Sequence, residues 1–113
     1  MLPASNRLRD GATYRATVRR GRRAAAAAVV LHQLAGGEEG PPRVGLVVSR
    51  AVGNAVTRNH VKRRLRHQLR ERLRLLPDGS VLVVRALPAT ATMSSTELAA
   101  ELDTALTRLT GRR

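Results

Sequence analysis

The sequence predicts a small single-domain α/β (α+β) sandwich, with helices packed on a mixed sheet in the order α-β-β(-β)-α-β-α. Two short β-branched runs, 44–49 and 81–84, have the length and composition of buried strands. Apolar residues recur at helical spacing between these runs and again after residue 98. Buried strands that alternate with amphipathic helices favour helices packed on a sheet. A chain of 113 residues is enough for one such domain, 1–113, and too short for two.

The first third of the chain is predicted as a helix, a strand and a loop. Residues 8–20 are weakly periodic and predict a short helix that ends at Gly21. Residues 24–34 begin with alanines, which favour helix, but the Val29-Val30-Leu31 segment and the turn residues after it favour a strand. The composition of 35–42, AGGEEGPP, predicts a mobile loop that is acidic and should point away from a bound polyanion.

The second half of the chain contains the most clearly marked helices. A helix is predicted over 55–75, with Asn54 as its N-cap and Pro77-Asp78-Gly79 as its stop and turn. Its core-facing stripe consists of Val61, Leu65, Leu69, Leu73 and Leu76. Ser94 and Glu97 have the spacing of a capping box. They open a helix whose core face consists of Leu98, Leu102, Leu106 and Leu109, and a frayed tail is expected at 110–113.

The charge of the chain is large and clustered. The net charge is +13 and the pI is about 12.0, which is typical of proteins that bind nucleic acid or another anionic surface. Residues 1–23 contain seven arginines against Asp10, and residues 50–74 contain nine basic residues against Glu71. Lys62 is the only lysine, so a genomic preference for arginine explains the residue type. It does not explain the clustering, which predicts a contact surface.

Several classes of protein are disfavoured by what the sequence lacks. Without cysteine there is no disulfide and no thiolate metal site, and no apolar run reaches the length of a membrane span. The N-terminus has no apolar signal core, so a cytoplasmic protein is expected; an arginine-rich organellar transit peptide is the alternative. The sequence contains no paired-carboxylate arrangement on a shared element, no histidines at metal-ligand spacing and no Walker-type glycine loop. It therefore predicts no catalytic residue and no metal site.

A basic ladder follows the second strand. Arg58, Lys62, Arg66 and Arg70 are four residues apart, so they lie along one side of the predicted helix. Like charges at this spacing destabilise an isolated helix, and a polyanion would relieve the repulsion. Guanidinium groups near a helix N-terminus reach several phosphates at once, and Asn59 can bond a 2′-hydroxyl or a base edge. The alternative is a solvated basic helix face.

The run 48–66, VSRAVGNAVTRNHVKRRLR, closely resembles the RNA-binding signature of the bacterial ribonuclease P protein. The resemblance covers about 2–109 and implies an α/β fold with a left-handed βαβ crossover. It also implies contacts with the catalytic RNA subunit from Arg50, Asn54, Arg58, Asn59, His60, Lys62, Arg63 and Arg66. Two residues depart from the family pattern: His60 stands where a second arginine is usual, and Ala51 where a second basic residue follows Ser-Arg. A weaker local contact is expected there.

The same resemblance implies a second surface, a cleft that holds the single-stranded 5′ leader of precursor tRNA. The Asn6-Arg7-Leu8-Arg9 segment resembles the opening of the family, with a basic arm expected at 1–6. The implied leader-binding residues are Arg7, Arg9, Tyr14, Val18 and His32. Tyr14 is the only aromatic residue of the chain, and Val18 and His32 stand at positions where aromatics are common. Leader stacking should therefore be weaker; the alternative for Tyr14 is a tyrosine at the edge of the core.

The predicted function is that of the protein subunit of ribonuclease P. It would bind the catalytic RNA and the precursor tRNA leader, while Mg²⁺ ions held mainly by the RNA cleave the phosphodiester. No membrane and no obligate protein partner are expected. The alternative is a general RNA-binding protein, ribosomal or chaperone, without a role in tRNA processing. A DNA-binding recognition helix is disfavoured because a strand precedes the basic helix. A membrane-surface role is disfavoured because that helix needs its leucines for the core.

Overall fold

The computed structural model describes residues 2–36 and 39–110. Within these ranges, three α-helices and four strands follow one another: α1 (Gly11–Arg20), β1 (Arg22–Ala25), β2 (Val29–Leu34), β3 (Arg43–Val48), α2 (Ala55–Arg70), β4 (Val81–Ala86) and α3 (Ser95–Thr110). The order α-β-β-β-α-β-α confirms the predicted fold class. None of the helices described is long and apolar enough to cross a membrane.

The four strands form one mixed sheet in the order β1-β2-β4-β3. β1 pairs with β2 and β2 with β4 in antiparallel fashion, whereas β3 and β4 are parallel and are connected through α2. This parallel pair is the βαβ unit. The left-handed crossover implied by the resemblance remains a prediction.

The two faces of the sheet carry different layers, because successive strand residues point to opposite sides. One face carries the main core, in which Val29, Leu31 and Val84 pack with Leu65 of α2 and Leu102 of α3. The other face is covered by α1 and carries a smaller cluster of Leu8, Val81 and Val83 with Tyr14 at its edge. Most apolar side chains are therefore used on the α2–α3 side.

Three predicted boundaries are wrong. α1 begins at Gly11 instead of residue 8, because the Asp10 side chain accepts a hydrogen bond from the Ala12 amide and caps the helix there. The single strand expected at 24–34 is a hairpin, closed by the Ala26 amide donating to the Val29 carbonyl at 2.9 Å. α2 ends at Arg70 instead of residue 75, and Leu73–Leu75 forms a separate 3₁₀ turn.

Several local predictions are confirmed. Asn54 caps α2, with its side-chain oxygen accepting from the Thr57 amide at 2.9 Å. Ser94 and Glu97 form the reciprocal capping box. Gly21 is the C-cap of α1 as predicted, and a Cβ there would lie 2.5 Å from the Thr17 carbonyl oxygen and 2.6 Å from that of Gln33, so only glycine fits.

The N-terminal segment differs from the basic arm expected at 1–6. It contains no lysine or arginine, and its described part, 2–6, is docked on the domain. Leu2 is buried, and the Asn6 side-chain amide donates to the Pro42 carbonyl at 2.8 Å. A mobile loop is expected at 35–42, and its residues 37–38 lie outside the described residues. A frayed tail is expected at 110–113, and its residues 111–113 lie outside them as well. Thr110 is the last residue of α3.

Candidate nucleic-acid interface

The solvent side of α2 carries a basic surface at its N-terminal half. Asn59, His60 and Arg63 are exposed, and Arg58, Lys62 and Arg66 are half-buried beside the apolar stripe. The residues of the stripe within the helix, Val61, Leu65 and Leu69, are buried as predicted. α2 therefore uses one side for the core and presents the other as a cationic surface.

Two further arginines of this region are structural. The Arg64 guanidinium donates to the carbonyls of Met93 and Thr90, which ties α2 to the turn before α3. Arg72 binds Asp103 of α3 through two hydrogen bonds, Nε to Oδ1 at 2.7 Å and Nη2 to Oδ2 at 3.1 Å. This pairing lowers the pKa of the Asp103 carboxyl and raises the pKa of Arg72. These two charges are used within the fold, so the basic surface contains fewer cations than the nine basic residues counted over 50–74.

Arg58 differs from both because its side chain makes no hydrogen bond with the residues that the structure describes. Its Nε is buried without a partner, as is the Nε of Arg64, whose two terminal nitrogens are bonded. A buried donor without an acceptor costs stability. The helix N-terminus that carries it is suited to an anion, so an RNA phosphate would supply what this group lacks.

The N-terminal segment and α2 meet across the outer edge of β3. Arg7 is bridged to Val44 of this strand, and the Leu8 amide donates to the Val44 carbonyl at 2.9 Å. A cleft of about 350 Å³ opens beside them. We call it the β3-edge cleft; its polar lining consists of Arg7, Arg9, Tyr14, Lys62 and Arg66. Residues assigned from the sequence to two different RNA contacts thus share one cleft.

Arg66 lies between two openings. It lines the β3-edge cleft and also a neighbouring groove with Asn59, Arg63 and His67 on the outside of α2. Of the other residues predicted to touch the RNA subunit, Asn54 is at the start of α2, with its oxygen used in capping, and Arg50 is exposed in the turn after β3. His60 is exposed on α2 and is not in either opening.

Tyr14 reaches the β3-edge cleft over a glycine. Its ring lies on Gly45 of β3 so closely that a Cβ there would be 2.3 Å from Cζ and from the hydroxyl oxygen. Burial raises the pKa of the Tyr14 hydroxyl, and a hydrogen bond with the Leu46 main chain and the charge of Arg66 act against it. Tyr14 is therefore both a packing residue at the edge of the smaller cluster and a wall of the cleft.

Beyond α1, the same face of the sheet carries two arginines on either side of His32. Arg23 of β1 is opposite His32, and Arg85 of β4 is opposite Val30, two residues away on the same face. Both arginines are exposed, whereas His32 is only 6% exposed. Burial, and then the charges of Arg23 and Arg85, lower the pKa of His32, and its Nδ1 has no partner among the described residues.

The predicted leader-binding residues are thus only partly brought together. Val18 is 43% exposed on α1, Tyr14 lines the β3-edge cleft, and His32 is buried in the sheet between two cations. Neither Arg23 nor Arg85 was anticipated from the sequence. Arg85 had a signal, since it interrupts the apolar run VLVVRA, and a charge in a buried strand marks an open patch of sheet.

The described side chains do not form a metal site. No group of three or more histidine, aspartate or glutamate side chains within 2–36 and 39–110 is placed to hold a metal ion. The side chains that these ranges bring together on the basic surface are cationic or neutral. They suit phosphate oxygens, not a divalent cation.

Comparison with known proteins places this arrangement in a family. The sequence model of a family described as Ribonuclease P matches residues 2–110. A ribonuclease P protein component from a Nocardioides species is 58% identical over 111 residues, covering 96% of this chain and 95% of that protein. The Streptomyces avermitilis ribonuclease P protein component is 52% identical over 119 residues, covering 98% and 97%. The fold of the Staphylococcus aureus RNase P protein matches with a TM-score of 0.82 at 23% identity, covering 91% of this chain and 94% of that one.

Proposed function

The chain belongs to the ribonuclease P protein family of bacteria, and from this membership we propose which RNA each of its two faces binds. As a family member it is the protein subunit of a ribonucleoprotein endonuclease of tRNA processing, and its partner is the ribonuclease P RNA. The proposal concerns which residues touch that RNA, which touch precursor tRNA, and where Mg²⁺ is held. We also assign the subunit to the cytoplasm, where bacterial precursor tRNA is made.

The basic surface of α2 binds the catalytic RNA. Its members are the predicted residues Arg50, Asn54, Arg58, Asn59, His60, Lys62, Arg63 and Arg66. The support is that Arg58 and Lys62 have no acidic partner within the described residues, whereas Arg64 and Arg72 do have partners in the fold. Cations left without a partner on one side of a helix are available to phosphates.

The face of the sheet beside α1 binds the 5′ leader of precursor tRNA. Tyr14 and Val18 offer the apolar surface, and Arg7 and Arg9 offer charge at the β3 edge. Arg23 and Arg85 on either side of His32 add two cations that other side chains in the described part of the chain do not neutralise. Leader recognition in this chain therefore depends more on phosphate contacts than on stacking, and it should be correspondingly sensitive to salt.

Mg²⁺ is held mainly by the RNA subunit and supplies the activation of water and the stabilisation of the leaving oxygen. The chain contributes positive charge and positions the substrate.

The observation that carries the whole proposal is the β3-edge cleft, in which the N-terminal arginines and Tyr14 meet Lys62 and Arg66. A leader held at Tyr14 would lie next to the RNA subunit held at α2, and the scissile bond would then lie at the junction of the two RNAs.

Reconstituted cleavage tests the leader part of the proposal. The protein is mixed with a bacterial ribonuclease P RNA and with labelled precursor tRNA at low Mg²⁺, and cleavage is compared with that by the RNA alone. The expected result is faster cleavage at the mature 5′ end, with tighter binding of precursor than of mature tRNA. Equal affinity for precursor and mature tRNA would contradict leader recognition.

The double substitution Arg58→Ala/Lys62→Ala tests the α2 surface. We expect affinity for the RNA subunit to fall about tenfold and the slope of log affinity against log salt to fall by about 1 for each phosphate that is no longer bound. The measurement is a salt series of equilibrium binding to the RNA subunit. Arg22→Ala/Arg74→Ala is the matched control, because it removes two exposed arginines that lie outside the basic surface of α2. A control that weakens binding as much as the test variant would show an unspecific charge effect.

A further inference from the structure

A second cleft lies on the opposite flank of α1. It has a volume of about 450 Å³ and lies between α1 and the end of the sheet where β2 finishes and β3 and β4 begin. Its cationic lining is Arg19, Arg20 and Arg43, and its apolar floor includes Ala16, Leu34 and Val81. We call it the arginine cleft. It contains none of the residues that the family resemblance assigns to RNA.

The helical geometry of α1 separates the two clefts. Successive residues turn by about 100° around a helix, so Tyr14 and Val18 lie roughly 200° from Ala12 and Ala16 respectively, on the other side of the axis. Thr17 is fully buried and faces the sheet between them. α1 therefore has one flank towards the predicted leader residues and the other flank towards the arginine cleft.

The chemistry of the arginine cleft suits an RNA strand. Arg19 and Arg20 are exposed, and no carboxylate of the described residues pairs with them. Guanidinium groups at the rim bind phosphate oxygens, and the apolar floor accepts the less polar surface of a ribose or a base. No aromatic side chain lines the cleft, so charge must provide most of the affinity.

One wall of the cleft is built from backbone. A Cβ at Gly36 would lie 1.5 Å from the Gly79 carbonyl oxygen, so the two turns touch through their main chains. The Gly79 amide also donates to the Gly40 carbonyl at 2.7 Å. Main-chain contacts of this kind hold the wall in place without side chains that would fill the cleft.

We propose that the arginine cleft holds the phosphate backbone of the distal part of the precursor leader, beyond the nucleotides at Tyr14 and Val18. This inference rests on the proposed leader binding. The leader is the favoured RNA because the cleft opens on the α1 side of the sheet, whereas α2 packs on the other side. A helix is only about 10–12 Å across with its side chains, so a strand passing over α1 needs few additional nucleotides to reach the second flank.

The test is a series of precursor tRNAs with short, intermediate and long leaders, cleaved by the reconstituted holoenzyme. Arg19→Ala/Arg20→Ala is compared with wild type and with Arg15→Ala/Arg22→Ala, which removes the same charge from exposed positions outside the cleft. We expect the Arg19→Ala/Arg20→Ala variant to lower kcat/KM about five- to tenfold for the long leader and by less than about twofold for the short one. The salt dependence for the long leader should weaken by about 0.7 in log–log slope for each phosphate that the variant no longer binds.

Any of the following results would overturn this assignment. Equal losses for all leader lengths, or equal losses in the control variant, would show a general effect of charge or folding. Weaker binding of Arg19→Ala/Arg20→Ala to the RNA subunit alone would assign the cleft to that RNA. Unchanged kcat/KM for every leader would leave the cleft without a role in binding RNA. A wild-type enzyme that ignores leader length and binds precursor and mature tRNA equally would overturn the proposed leader binding as well.

Discussion

Tyr14 is the residue where packing and recognition coincide. Its ring fills the space above Gly45, and its side chain is half-buried. Part of the ring is therefore used by the fold, and any base must stack on the part that remains open to the cleft. The sequence could identify this tyrosine as the single aromatic, but it could not show which part of the ring is occupied.

Substitution of Tyr14 separates the two roles. Tyr14→Phe keeps the ring and should leave affinity for precursor tRNA nearly unchanged. Tyr14→Leu keeps an apolar side chain but removes stacking, which is worth about 1–3 kcal/mol per base, so affinity should fall about tenfold. Binding of precursor and mature tRNA is the measurement. Equal losses for both RNAs would show that Tyr14 serves the fold alone.

Burial of His32 should make the stability of the fold sensitive to acid. Burial, with the charges of Arg23 and Arg85, lowers its pKa below the ordinary value of 6.5. In the range just below that value the unfolded chain takes up a proton more readily than the folded one, so the free energy of unfolding falls as the pH falls. The stability that neutral His32 contributes is present above about pH 6.5.

The check is the free energy of unfolding in urea at pH 7.5 and pH 5.5. His32→Leu should show a smaller loss of stability on acidification than wild type, because the buried titrating group is gone. His67→Ala, which removes an exposed imidazole from α2, is the control. An identical pH dependence in His32→Leu and wild type would contradict the prediction.

The arginines of α2 show which property of single residues cannot be predicted from the sequence. Arg63, Arg64 and Arg66 are indistinguishable by type and lie within four positions, yet Arg64 alone is bound to the carbonyls of Met93 and Thr90. Those acceptors come from a turn 26 to 29 residues further along the chain. No local pattern encodes such a contact, so the division between structural and available cations needs the tertiary structure.

Among the elements, α2 was the best predicted and its cap is the most informative part. Loss of a good N-cap costs about 1 kcal/mol. Asn54→Ala should lower the free energy of unfolding by about that amount and loosen the turn that carries Arg58, weakening RNA binding. Asn54→Ser keeps the cap and should preserve stability, but it removes the amide and should still weaken RNA binding. If Asn54→Ser is stable and binds RNA as tightly as wild type, Asn54 acts through the cap alone.

The β1–β2 hairpin was the element least accessible from the sequence. The run of alanines contains no glycine, proline or asparagine to mark a turn, so the chain reverses at Ala26–Ala28 without a local signal. The reversal is fixed instead by pairing with β4, whose partner residues run from Val81 to Ala86 along β2. Tertiary pairing decides the position of a turn when its residues have no preference of their own.

At the scale of the whole molecule, the fold class could be predicted because both periodicities were clear. Leucines at helical spacing in α2 and α3 and short β-branched runs in β3 and β4 gave the layers. The relation of the layers could not be predicted in the same way. α1 and α2 lie on opposite faces of the sheet, yet Tyr14 and Arg66 meet at the β3 edge. Only the strand order β1-β2-β4-β3, which puts β3 at an edge, makes this meeting possible.

The contact between Tyr14 and Gly45 also constrains how this chain can diverge. With a Cβ at position 45 only 2.3 Å from the ring, a lineage that replaces the glycine first must move the tyrosine ring from its place, and overpacking of this kind destabilises a fold. Replacing Tyr14 by a small side chain removes that barrier. Positions 14 and 45 should therefore covary among descendants, with the change at 14 arising before the change at 45.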